Sequence, residues 1–150
     1  MSTGPFPTDA VIARLRSHAP SLRIVGSSAD LRTALEQKPS VTPAVYVLVE
    51  ESARPPQLSG PATVQHVAVS VQLVAFVRSA TSERDGAGAR SIADQSVIPE
   101  VRAALIGWAP GDGYDSLSFS AGRDENYETG YLCFQQVFQS EYRIQHQAMP

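Results

Sequence analysis

The stretch TVQHVAVSVQLVAFVRS, residues 63–79, sets the tightest limit on the fold. Its side chains alternate as those of a strand do over most of its length. At about 3.3 Å per residue it reaches about 56 Å. A compact chain of 150 residues has a diameter of only roughly 40 Å. Its odd positions, Gln65, Val67, Val69, Val71, Leu73, Ala75 and Val77, predict a core face. Its even positions, Val64, His66, Ala68, Ser70 and Gln72, are polar or small, then turn apolar at Val74 and Phe76. One end of the strand is thus expected to be covered on both sides, and the other to be open on one. Two readings follow. Either a bulge or bend divides the run in two, or a hairpin projects beyond the domain and packs on a neighbouring subunit. An uncovered edge of that length invites aggregation, and closed rings use such edges head to tail.

The rest of the chain supplies partners for that strand. Residues 1–7 read as a loose arm, as does the tail 146–150. Thr8 or Asp9 starts a helix to His18, with Val11, Ile12 and Leu15 on one face. Leu22, Ile24 and Val25 form a short strand. Ser27 or Ser28 opens a second helix to Gln37, with Leu31, Ala34 and Leu35 inward. AVYVLVEE, residues 44–51, is a strand buried on both faces. SARPPQLSGPA, residues 52–62, is a loop, so this strand and the long one are expected to form a hairpin with a large tip. The polar loop 81–90 leads to a helix from Ser91 to Trp108, in which Pro99 marks a kink or a fresh start near Ile98. A strand through Leu117, Phe119 and Ala121, a turn over 122–130 and a last strand complete the chain. In that last strand Leu132, Phe134, Phe138, Tyr142 and Ile144 share a face. The fold class is α+β: one domain over 1–150, with a mainly antiparallel sheet, helices on one face and a long projecting β-hairpin.

Chemistry is hard to find. His18, His66 and His146 share no metal-binding spacing, and the single cysteine, Cys133, sits inside a strand as apolar filler. GAGARS, residues 86–91, lacks the third glycine of a dinucleotide fingerprint and lies too far from a strand end. Asp112, Asp115, Asp124, Glu125 and Glu128 read as solvated turns, or as a surface that faces a basic partner or keeps off DNA. The formal net charge of −3 argues against broad nucleic-acid binding. Every basic residue but Lys38 is arginine, which fits either a GC-rich genome or fixed bidentate contacts at interfaces. No apolar run approaches the ~18 residues that span a bilayer, and MSTGPFPTDA lacks a signal peptide's basic start and apolar core. The chain is therefore expected in the cytosol when made, with no cofactor, no metal and no membrane partner.

Four segments in order carry a family resemblance. VIARLRSHAPSLRIVGSSADL, residues 11–31, precedes TPAVYVLVEE, residues 42–51; VRAALIGWAP, residues 101–110, ends a helix in Gly-Trp-x-Pro; and G-x-L-x-F-x-x-x-F-x-x-x-Y-x-I runs from Gly130 to Ile144. Together the chain resembles the tail terminator (tail completion) proteins of long-tailed bacteriophages. The resemblance implies a subunit of a hexameric ring on the head-proximal end of the tail tube. That ring would stop tube polymerisation and offer a docking surface to the head. It implies a homo-oligomer with two partners, the tail tube protein and a head-completion or neck protein. It also implies a lumen through which DNA passes without specific binding, a place in the virion tail, and no enzyme activity. A head-completion or neck adaptor ring is the alternative, and a small enzyme using Cys133 or the late carboxylates is a third. The interface candidates are Glu50, Glu51 and Arg54 beside the first hairpin tip, and Arg78, Arg84, Asp85 and Arg90 around the second long loop.

Overall fold

The computed structural model describes residues 3–60, 62–79, 87–128 and 130–147. Its first half runs α1 (Thr8–His18), β1 (Ile24–Ser27), α2 (Ser28–Gln37), β2 (Ala44–Ala53) and β3 (Gln57–Ser59). The second half runs β4 (Ala62–Arg78), α3 (Ala87–Ile92), a π-helical turn (Ala93–Val97), α4 (Ile98–Leu105), β5 (Ser118–Glu128) and β6 (Tyr131–Gln147). All six strands form one sheet in the order β1-β2-β4-β6-β5, with β3 beside β4. Only β1 and β2 are parallel, so the chain is α+β with a mainly antiparallel sheet.

The long strand is not divided. β4 is continuous for 17 residues and pairs along its whole length with β6, also 17 residues, from Ala62↔Gln147 to Arg78↔Tyr131 without a register shift. Its hairpin partner β2 covers only Val67 to Phe76. Past that point β3, drawn from what reads as a plain loop, pairs with Ala62–Val64. The far end of β4 is therefore the centre of a three-stranded ribbon. Residues 62–66 are half-buried, and full burial starts at Val67, so the ribbon runs on past the core.

The odd face of β4 meets the helices. Val11, Ile12 and Leu15 of α1, Ala89 of α3, and Val101, Ala104 and Leu105 of α4 pack on Val45, Val47, Val69, Val71, Leu73, Phe134 and Phe138. The face expected for β6, Leu132, Phe134, Phe138, Tyr142 and Ile144, is the one that packs here. Arg14 binds α1 to α4: its Nε donates to the Ala104 carbonyl at 2.8 Å. Pro99 falls in the first turn of α4, where a missing N–H costs nothing. The π turn ahead of it is closed by the Ile98 N–H on the Ala93 carbonyl, so the new start expected near Ile98 is present. The helix ends earlier than expected, at Leu105, and Trp108 is only partly buried against the core.

α2 departs from the expected one-face arrangement. Ala34 packs with Ala44, Tyr46, Val74, Phe76 and Cys133 on the opposite face of the sheet. The cause is the parallel β1-α2-β2 unit, whose right-handed crossover fixes the side on which its helix must lie. Gly26 lets that helix start close to the sheet: a Cβ there would sit 3.0 Å from both the Asp30 carboxylate and the Tyr46 ring. Leu35, expected inward, is 50% exposed. The turn expected over 122–130 is mostly strand, because two bulges, between Phe119 and Ala121 and between Asp124 and Asn126, let β5 follow β6 despite its polar sequence.

Candidate interaction surfaces

The interface candidates fall into two groups along β4. Glu50 and Glu51 stand opposite Ser70 and Val69, at the middle of β4, and Arg54 lies nearer the ribbon end. Glu50 is exposed on the open face. Glu51, on the helix-covered face, accepts a hydrogen bond from the Tyr142 hydroxyl. The Arg54 N–H bonds the His66 carbonyl at 2.9 Å, and its guanidinium lies 3.3 Å from the Glu141 carboxylate. Arg78 and Arg90 lie at the other end. Arg78 stacks over the Tyr131 ring at 5.3 Å, and its N–H bonds Thr42 Oγ1 at 3.2 Å. Arg90 is paired with Asp94 at 3.1 Å and with Asp124. Arg84 and Asp85 lie outside the described residues. From Ser70, opposite Glu50, to Arg78 the strand covers roughly 26 Å at about 3.3 Å per residue, so the two groups are separate patches.

An aromatic stack fixes the base of the ribbon. Phe6 is 2% exposed, so the arm expected over residues 1–7 is pinned there. Its ring meets Tyr114 edge-on at 5.4 Å, and Tyr114 meets Tyr142 at 5.3 Å. The Tyr114 hydroxyl donates to the Pro5 carbonyl at 3.1 Å. Gly4 is required by this closure: its φ is +75°, and a Cβ would fall 2.2 Å from the Tyr142 hydroxyl. Burial first, and then the bond to Glu51, push the Tyr142 phenol well above its ordinary range. Sequence reading missed this stack. The hint available was Phe6 between two prolines, an aromatic in a segment otherwise read as unstructured.

The residues weighed for chemistry are scattered. Cys133 is buried, and burial, then Glu125, push its thiol up, away from the nucleophilic thiolate. His18 is bonded to Arg14 and Ser17, and His66 lies on the open face of β4. The His146 side chain lies outside the described residues, as does that of Glu128. Asp124 and Glu125 are each held by an arginine, Arg90 and Arg123. Asp112 and Asp115 are exposed in the turn before β5. Among the described residues no group of His, Cys, Asp and Glu could hold a metal ion.

One surface is large and uncovered. Beyond α2, no described element packs on the face of the sheet opposite α1, α3 and α4. Ala68, Ser70 and Gln72 of β4 lie here beside Gln135, Val137 and Gln139 of β6. This is the open half-face that the even positions of residues 64–72 predict. Between β4, β6 and β5 it dips into a hollow of about 240 Å³, lined by Gln72, Ala121, Gly122, Arg123, Gln135 and Val137.

The fold thus exposes a sheet with one bare face, two separated charged patches and a ribbon that outruns its core, the surfaces of a structural subunit. A family model described as phage tail terminator protein matches residues 1–148, and the chain belongs to that family. It is a structural protein of the phage tail, in a family that is not one of enzymes. Comparison with curated proteins found no match. No helix among the described residues is long and apolar enough to cross a membrane.

Proposed function

We propose that this protein is a ring-forming terminator. Copies of the chain assemble, six to a ring, on the head-proximal end of the tail tube, halt its polymerisation and present the surface on which the head docks. Its partners are itself, the tail tube protein and a head-completion or neck protein. Assembly takes place in the host cytoplasm, and DNA passes through the ring without being bound. The observation that carries this reading is the family match over 1–148.

The structure is in keeping with it in two respects. Rings need two different patches per subunit, because heterologous contacts close head to tail. The ribbon-end group around Arg54 and the far group around Arg78 and Arg90 lie apart along β4, so the subunit presents distinct surfaces. The ribbon gives each copy a reach beyond its own core, which answers why a small chain keeps a strand of this length. The test is the tail made without the gene, seen by negative-stain microscopy. Overlong tubes support a terminator; tubes of normal length that never join heads point instead to a neck adaptor.

A further inference from the structure

The open sheet face and the outer flank of α2 lie on the same side of the sheet, at different places along it. Three features distinguish them. Leu35 stands half-exposed at the outer flank of α2, while Leu31 and Ala34 of the same helix pack on the sheet. The hollow on the open face is lined by the exposed Ala121 and the half-buried Val137, with Gln72 and Gln135 beside them. Each site also carries its own exposed ion pair: Arg32–Glu36 at 3.4 Å beside Leu35, and Arg123–Glu125 at 2.8 Å beside the hollow.

We infer that Leu35 of one copy seats in the Gln72–Ala121–Val137 hollow of the next, and that this contact closes the ring. The inference rests on the ring reading above and names the surface that reading leaves open. A helix laid on a bare sheet face is the usual way such a face is buried. The charges fit the same pose. Glu36 can meet Arg123 and Arg32 can meet Glu125, each pair exchanging an exposed partner for one at a closed interface. β4 and β6 at about 4.8 Å spacing, from Val64 to Gln72, with β2 beside them from Val67 and β5 only from Ser70, make a face on the order of 350 Å². That is under half of the ~800 Å² each partner gives to a standard interface, so the flank of α2 and its charged pair supply the rest. Knob and hollow are different patches, so repeated head to tail the contact closes a ring, and multimers beyond the dimer distinguish it from a two-fold pair. Of the two end strands of the sheet, β1 is four residues long with its Val25 carbonyl taken by Arg16, and β5 is bulged and charged.

Two experiments on the full chain, alone and bound to tail tubes, test this. The first combines Leu35→Cys with Ala121→Cys under mild oxidation, with each single variant as control. The expected result is a ladder of disulfide-linked multimers from the double variant alone. The second measures assembly of Leu35→Glu and Glu36→Arg by light scattering. Each is expected to lower the assembled fraction on the order of tenfold, with the monomer's circular dichroism and melting unchanged. Arg123→Glu is expected to restore assembly to Glu36→Arg. Rings that form without the ladder, and that tolerate Leu35→Glu, overturn this contact and leave the ring reading standing. Cross-links to the tail tube protein alone also overturn it. A chain that never self-associates, free or on tubes, overturns both.

Discussion

The Tyr142 hydroxyl on β6 donates to the Glu51 carboxylate on β2, reaching across the intervening β4. This bond ties the three central strands together where the core ends and the ribbon begins. Full burial on β4 starts at Val67, the residue opposite Tyr142.

Tyr142→Phe removes that bond and keeps the aromatic stack. Hydrogen bonds to charged groups contribute about 1.5–3 kcal/mol. Because Glu51 is exposed and rehydrates, the expected loss is about 1–2 kcal/mol, read by urea unfolding.

The same bond sets a response to alkali. The folded phenol titrates above its unfolded value, so its stabilisation is complete below about pH 10 and is lost as pH rises beyond that. The wild type is therefore expected to lose more stability above this pH than Tyr142→Phe. Unfolding midpoints measured on both sides of that pH check it.

Phe138→Ala and Trp108→Ala separate core from rim. Phe138 is 0% exposed in the centre of the helical face, and its truncation is expected to cost ~3–5 kcal/mol. Trp108 is only partly buried and stacked by Arg14 at 5.7 Å, so its loss is expected to cost less, about 1–3 kcal/mol. Equal losses from thermal melts would contradict the burial order.

Much of this was legible in the chain. The period-two run of β4, the shared face of Leu132, Phe134, Phe138 and Tyr142, and the helix restart at Pro99 are local patterns, and local patterns survive into structure. What escaped depended on contacts distant in sequence. α2 lies on the second face because β1 pairs in parallel with β2, which periodicity does not record. β3 and the outer part of β5 exist because a long neighbour offers them backbone partners, despite Pro-rich or charged sequence. The charged interface candidates flank the two long loops, and of the five described, Glu51, Arg54, Arg78 and Arg90 are tied to partners within the subunit. The knob and the hollow were missed because neither is a motif: Leu35 fits an inward helical stripe, and the hollow draws on three strands.

Cys133→Ser bears on whether any chemistry remains. The thiol is buried in a small apolar cluster beneath α2. A hydroxyl there is expected to lower stability by about 1–2 kcal/mol and to leave virion yield intact at permissive temperature. A folded variant that makes no virions would point to a chemical role for the thiol.

Shortening the segment from Pro55 to Gly60 tests the ribbon. It carries β3 and Leu58, which is 80% exposed, and buries little. The subunit is expected to fold, with tail completion impaired. Normal virion yield from that variant would remove the ribbon from the proposed assembly.

The most direct test is the length distribution of tails from phage lacking this gene, measured by negative-stain electron microscopy with and without the protein supplied in trans. Capping by this chain predicts tubes that overrun the normal length and return to it on complementation. Tails of uniform normal length in its absence would contradict the capping role.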